Sequence, residues 1–207
     1  MQFRTVALAL ALWLAILLLI TASGTMAGLL PPWPQLILAA LVLLLLAVYA
    51  ISKSLRDWLH SIPLASLIAL HLVRFVGIYF LWLHARGELP GDFAIPAGWG
   101  DIAVATFALL LLITRHASRR TYLAWNFLGL VDILFVVITA ARLAIANPAS
   151  MATLLKLPSS LLPTFIVPLV IFTHIVIFVR LLGVHSPART KGNARSSRQP
   201  ERAHLPP

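Results

Sequence analysis

The stretch PQLILAALVLLLLAVYAI, Pro34–Ile51, decides the fold class. It is 18 residues long and carries no charge, close to the about 20 apolar residues that a helix needs to cross a bilayer. The whole chain has the same character, because 60% of its 207 residues are hydrophobic and 11% are charged. A soluble domain is typically about a quarter charged. The composition therefore argues against a soluble enzyme, excludes disorder for most of the chain, and predicts a membrane protein.

Five more stretches are apolar over nearly the same length, although the one that begins at Ala97 is short for a span. They cover Thr5–Thr21, Pro63–His84, Ala97–Ile113, Thr121–Ile145 and Leu161–Gly183. The sequence thus predicts an all-α fold, a polytopic membrane bundle of about six transmembrane helices over residues 1–184. For the first stretch a cleaved signal peptide over residues 1–23 is the alternative, because a basic start precedes an apolar run and small residues.

Basic residues distinguish the two sides of the predicted bundle. With the N-terminus in the cytoplasm, twelve Lys and Arg residues lie inside and two, Arg86 and Lys156, lie outside. The positive-inside rule therefore predicts an N-in/C-in topology. Residues 185–207 are basic and rich in Ser and Pro, which predicts a disordered cytoplasmic tail that contacts anionic lipids. The net charge of +10 marks orientation and this tail, so we expect no nucleic-acid partner.

Two connecting segments carry further patterns. Apolar residues recur at helical spacing between residues 52 and 62, which predicts a short interfacial helix over Ser52–Ile62, with a simple turn as the alternative. The stretch ARGELPGDFAIPAGWGD, residues 85–101, holds four Gly and two Pro residues, and this density predicts no regular helix across it. Such a segment forms either a lid over the outer mouth or a turn that seals the helix ends.

The outer side also holds candidate site residues. Asp101 is expected to cap the helix that follows it, because free amides at a helix start favour an acceptor. His84, Glu88, Asp92 and Asp101 could together form a metal or acid–base site under the lid, and Arg142 lies near the outer end of the fifth segment. No motif of a catalytic site appears and the chain has no cysteine, so we predict neither a catalytic residue nor a resident metal.

Ionisable residues inside the predicted spans are the strongest functional candidates, because burying charge in hydrocarbon is costly. They are His71, Arg74, Asp132 and His174, with Asn126 near the inner end of the fifth segment. Counting about 1.5 Å per residue places the two histidines roughly 12 Å from the cytoplasmic boundary, and Arg74 and Asp132 roughly 16 Å from it. Two levels of polar groups are therefore expected inside the bundle.

The two charges at the second level predict an ion pair between Arg74 and Asp132. The pair could simply fasten the third segment to the fifth, which would make the protein a structural or interaction protein. We therefore expect Asp132→Asn to destabilise the fold by leaving Arg74 unpaired. Alternatively, the pair and the histidines bind or move a small solute, an ion or a proton.

The histidines permit three interpretations. Each could donate a hydrogen bond to a carbonyl. His71 and His174 could instead be the axial ligands of a b-type haem, since they lie at equal depth, with Arg74 near a propionate. In the third interpretation they bind an ion, a proton or a small anionic solute together with Arg74 and Asp132.

Two stretches are the most distinctive parts of the chain: HLVRFVGIYFLWLHARGELPGDFAIPAGWGD, His71–Asp101, and WNFLGLVDIL, Trp125–Leu134. They resemble a group of uncharacterised bacterial multi-pass membrane proteins. The resemblance implies a six-span protein of the bacterial cell inner membrane and brings no established activity. A single small bundle leaves little room for alternating access, so we also expect a homo-oligomer.

Overall fold

The computed structural model describes residues 2–114 and 117–183, and this part of the chain consists of helices and their connections, with no strand. Arg115, His116 and the predicted tail over 185–207 lie outside the described residues. Eight α-helices occur in order: α1 Gln2–Ala22, α2 Trp33–Ile51, α3 Lys53–Ser61, α4 Leu64–Leu70, α5 Gly77–Ala85, α6 Gly91–Thr114, α7 Arg119–Ala146 and α8 Val167–Leu182. Tighter 3₁₀ turns cover Met26–Gly28, His71–Val76 and Pro148–Leu155, and a π-helical turn covers Leu162–Ile166.

Six helical segments are long and apolar enough to cross a membrane, which confirms the number read from the sequence. They are Phe3–Ala22, Trp33–Ile51, Leu64–Ala85, Gly91–Thr114, Arg119–Ala146 and Leu162–Leu182. The third combines α4, a 3₁₀ turn and α5, and the sixth combines the π-helical turn with α8. Many large apolar side chains point outward, and α2 buries none of its residues. An apolar exterior of this extent is typical of a surface that faces lipid.

The helix predicted over Ser52–Ile62 is present as α3. The Ser52 hydroxyl accepts a hydrogen bond from the Leu55 amide at 3.2 Å and so caps its start. Arg180 near the end of α8 donates to the carbonyl oxygens of Leu59 and Ile62, at 3.2 and 2.9 Å. Because these carbonyls lack helical partners, the guanidinium satisfies them and fastens α8 to α3.

Arginines mark one end of the bundle. Arg180 lies at the close of α8, and Arg119 at the start of α7 donates to the Leu181 carbonyl at 2.7 Å. Arg56 in α3 donates to the Tyr49 carbonyl, at the last turn of α2, at 2.9 Å. We call this end, defined by Arg56, Arg119 and Arg180, the basic end.

The segment over residues 85–101 corrects two expectations. The sequence predicts no regular helix here, but α6 starts at Gly91, six residues before the predicted start at Ala97. The helix then continues unbroken to Thr114. Consequently Asp101 lies inside the helix and does not cap it. The density of glycines does not indicate a break in the helix here, because Gly98 is needed for close packing. A Cβ at Gly98 would lie 2.8 Å from the Leu81 Cγ atom. Pro96 lies only in the second turn, where it removes a single hydrogen bond.

The apolar core is divided into two clusters along the bundle. One contains Phe80, Phe93 and Val136, and the other, towards the basic end, contains Leu59 and Val104. Between them, on four of the long helical segments, lie the buried polar side chains of His71, Arg74, Asp101, Asn126 and His174. The fold thus places a polar layer between two apolar layers.

Candidate functional site

A change of helix type aligns His71 with Arg74. Both lie in the 3₁₀ turn His71–Val76, which interrupts the third segment between α4 and α5. A 3₁₀ helix has three residues per turn, so side chains three apart stand directly above one another. The exposed fractions of His71 and Arg74 are 0% and 2%, so the turn directs both side chains into the bundle interior.

Arg74 lies between two carboxylates. Its Nε atom donates to Asp101 Oδ1 at 2.6 Å, one Nη donates to the Gly129 carbonyl at 2.8 Å, and the other Nη donates to Asp132. The predicted Arg74–Asp132 ion pair is therefore present. Asp101, predicted for the outer side as a helix cap or acid–base group, is instead the second partner of Arg74. We call Arg74, Asp101 and Asp132 the charge cluster.

Glycines let three helices approach closely enough to form the charge cluster. A Cβ at Gly77 would overlap the Gly98 carbonyl and lie 2.9 Å from Asp101 Cβ. A Cβ at Gly100 would overlap the Asp132 carboxylate. Because neither glycine has a positive φ, these residues are required for space and not for backbone conformation.

The two carboxylates differ in access. The Asp101 side chain is 4% exposed, whereas the Asp132 side chain is 19% exposed. Asp132 borders a groove of about 440 Å³ between α6 and α7, and the other lining residues that the structure describes are apolar. Asp132 is therefore the member of the charge cluster that can be reached from outside the bundle.

His174 is held by Asn126 through two hydrogen bonds. The Asn126 amide nitrogen donates to the His174 carbonyl at 3.0 Å, which makes the Asn126 Oδ1 atom an acceptor. His174 Nδ1 lies 2.8 Å from that oxygen and must therefore donate. In this tautomer the Nε2 atom carries a bare lone pair, and it has no hydrogen-bond partner among the described residues.

His71 is held in a similar way by Thr173. The Thr173 hydroxyl donates to the Leu169 carbonyl at 2.8 Å, so it can accept from His71 Nε2, which lies 3.3 Å away. His71 Nδ1 is then bare and has no partner in the described part of the chain. The ring centroids of His71 and His174 are 4.1 Å apart, and Trp125 packs against both rings. We call His71 and His174 the histidine pair.

Gly129 connects the histidine pair with the charge cluster. Its carbonyl accepts from Arg74, and a Cβ on it would lie 2.6 Å from the Cε1 atom of His174. The two groups of polar residues are thus adjacent, at opposite sides of one glycine.

A b-type haem does not fit the histidine pair. An iron held by two axial imidazoles separates their ring centroids by roughly 6 Å, since each metal–nitrogen bond is about 2 Å. The observed separation is 4.1 Å, and the space beside His174 is filled by Gly129 and Val104. Because the two imidazole rings contact each other directly, a porphyrin does not fit between them.

The remaining outer-side candidates do not converge. His84 donates through Nδ1 to the Leu89 carbonyl at 3.1 Å and so closes the turn after α5. Asp92 is exposed in the first turn of α6, nine residues before Asp101, and Arg142 is exposed on α7. Among the residues that the structure describes, no group of three His, Cys, Asp or Glu side chains could hold a metal ion. The shared outer site expected for His84, Asp92 and Asp101 is therefore wrong.

Sequence reasoning missed three contributors to the site, Gly100, Gly129 and Thr173. A signal for Gly129 was available, because it lies three residues before Asp132 and hence on the same helix face. Thr173 precedes His174 and gave no comparable signal. Its role depends on how α8 is rotated against the third segment.

A family model described as a domain of unknown function, DUF8737, matches residues 31–182. The match includes α2 to α8 and every residue of the charge cluster and the histidine pair. No curated protein matches the chain, and no solved structure matches it.

Proposed function

The chain belongs to the family of the domain of unknown function DUF8737, which supplies no activity, so we propose a function from the site itself. We infer that the protein crosses the bacterial inner membrane six times, binds a proton at the charge cluster and moves it across the bilayer. The observation that carries this proposal is the composition of the cluster: one arginine faces two aspartates.

The charge balance of the cluster favours a proton. Arg74 supplies one positive charge, and two ionised carboxylates would supply two negative charges, leaving one surplus negative charge. Burying an uncompensated charge costs several kcal/mol. One bound proton removes this cost, because the cluster is then neutral. Arg74 would have to release a carboxylate to bind an anionic solute, so the contacts favour a proton over an anion.

We assign the exchangeable proton to Asp132. Asp101 is sealed on all sides, whereas Asp132 is partly exposed at the groove. The histidine pair provides the next acceptors, because His71 Nδ1 and His174 Nε2 are buried and bare. Gly129 lies between the His174 Nε2 atom and the cluster, so a proton leaving Asp132 towards the basic end meets the histidine pair first.

Proton movement can be measured in liposomes that contain the purified protein and an enclosed pH dye. With potassium and valinomycin fixing the potential, we expect the wild type to admit protons faster than empty liposomes. Asp132→Asn should reduce the rate to that of empty liposomes. Asp92→Asn is the matched control, because Asp92 is exposed in α6 and outside the cluster, and it should keep the wild-type rate. Equal rates in the wild type and Asp132→Asn would contradict the proposal.

The proposed N-in/C-in topology is supported by the gathering of Arg56, Arg119 and Arg180 at the basic end. The chain has no cysteine, so single cysteines can report the side of the membrane directly. We expect Ser54→Cys to react only after membrane permeabilisation, and Glu88→Cys to react with an impermeant maleimide in intact cells. The reverse pattern would overturn the orientation.

A further inference from the structure

The groove beside Asp132 has a chemical character that the movement of a proton alone does not explain. Residues spaced three or four apart line it on both helices, so it follows the helix axes over about two turns. The lining includes Gly100, Ala103 and Phe107 from α6, and Leu128, Asp132 and Phe135 from α7. The small side chains of α6 leave the space, and the aromatic rings border it.

Among the described residues that line the groove, Asp132 is the one with a charge. Its Oδ2 atom pairs with Arg74, whereas its Oδ1 atom lies against Gly100 at the α6 side of the groove. An apolar, aromatic groove that contains one carboxylate matches a molecule with an apolar body and one positive charge. The aromatic faces add a cation–π attraction, which strengthens when water is excluded.

We propose that this groove binds a lipophilic organic cation, whose charge replaces the proton at Asp132. The inference rests on the proposed function, because it uses the same surplus negative charge. The exchange is balanced: one monovalent cation enters, one proton leaves Asp132, and the cluster remains neutral. The protein would then exchange protons for hydrophobic amines or similar cations within the membrane.

The alternatives fit the groove less well. A neutral acyl chain would fill the apolar part but leave the carboxylate without a counter-charge. A metal ion would need several oxygen ligands, and of the described residues that line the groove Asp132 alone supplies a carboxylate. The Asp132 carboxylate would repel an anion in the groove.

Tetraphenylphosphonium is a suitable probe, because its positive charge is surrounded by aromatic rings. We expect the purified full-length protein to bind it and to release about one proton per bound cation into a weakly buffered solution that contains a pH dye. Asp132→Asn should weaken binding at least about tenfold and abolish proton release. Tetraphenylborate, an anion of the same shape, should bind no better to the wild type than to Asp132→Asn.

A second variant tests the groove separately from the carboxylate. Ala103 is exposed and lines the groove, so Ala103→Phe should fill it and weaken tetraphenylphosphonium binding without removing the exchangeable proton of Asp132. Ala40→Phe, on the exposed face of α2, is the matched control and should bind like the wild type.

The outcomes separate this inference from the function on which it rests. The infrared C=O band of a protonated carboxyl group reports the proton at Asp132 independently of the cation. If the wild type fails to bind tetraphenylphosphonium while this band is present and is lost in Asp132→Asn, the cation site is wrong and the proton site stands. If that band is absent from the wild type, both are wrong. Unchanged binding in Ala103→Phe would overturn the groove as the site. A changed oligomeric state in Ala103→Phe without cation binding to the wild type would assign the groove to a second copy of the chain.

Discussion

The double substitution Asp101→Asn with Asp132→Asn tests the charge balance of the cluster through stability. The wild-type cluster has one carboxylate more than Arg74 needs, so either single substitution still leaves one carboxylate beside the guanidinium. The introduced amide oxygen can still accept from Arg74, so we expect each single variant to lose about 1 kcal/mol or less of unfolding free energy. This revises the expectation that Asp132→Asn alone would leave Arg74 unpaired.

The double variant is different, because Arg74 then has no carboxylate and is 2% exposed. Removing the partner of a buried charge typically costs about 3–5 kcal/mol. The double variant should therefore lose at least about 1 kcal/mol more than the sum of the single variants, a coupling within the range seen for residues of one network. Adding Arg74→Leu to the double variant should recover part of the loss, because it removes the unpaired charge.

Unfolding in mixed micelles with increasing dodecyl sulfate, followed by tryptophan fluorescence, provides the measurement. The buried Trp125 beside the histidine pair should report the loss of packing. Asp92→Asn serves again as the exposed control. If Asp132→Asn alone costs as much as the double variant, or if the two single losses simply add, the surplus carboxylate does not exist in the folded protein and the reasoning fails.

Three further outcomes follow from individual contacts. Gly129→Ala should cost about 1–3 kcal/mol, because its Cβ would lie 2.6 Å from His174 Cε1; an unfolding midpoint equal to that of the wild type would contradict this packing. Arg180→Ala should leave the Leu59 and Ile62 carbonyls unpaired and increase hydrogen exchange in α3 relative to α7, and unchanged exchange would show that the contact contributes nothing. Protein expressed with ample haem should be colourless, and a Soret band that is lost in His174→Ala would show that the histidine pair opens to admit a porphyrin.

Hydrophobicity predicted the six long apolar helices correctly, because length and composition are local properties and a helix that crosses lipid must satisfy its own backbone polar groups. The ion pair was also predictable. Arg74 and Asp132 were placed at one depth by counting residues, and each needs a partner when buried. The equal depth of His71 and His174 likewise anticipated their contact.

Asp101 was misplaced because its role depends on tertiary contacts. In sequence it follows Gly98 and Gly100, and such a pattern is typical of a turn followed by a helix cap. In the fold the same glycines are the points at which α6 meets α5 and α7, so the helix continues through them. Local propensity cannot distinguish a glycine that breaks a helix from one that lets two helices touch.

The distinction between bis-histidine haem ligation and a direct histidine contact was also beyond the sequence. Both need two histidines at one depth, and they differ only in the separation of the rings. The rotation of α8 against the third segment sets that separation, and Thr173 and Asn126 fix the ring orientations. Neither effect is encoded in residue spacing.

Infrared difference spectroscopy of the carboxylic acid C=O stretch tests the central claim most directly, because a protonated carboxyl group gives this band and an ionised carboxylate does not. Upon acidification of the protein in lipid nanodiscs, we expect the band of one buried carboxylic acid, shifted by deuterium exchange. It should be lost in Asp132→Asn and retained in Asp92→Asn. A spectrum in which Asp132→Asn and the wild type are identical would contradict proton binding at the charge cluster.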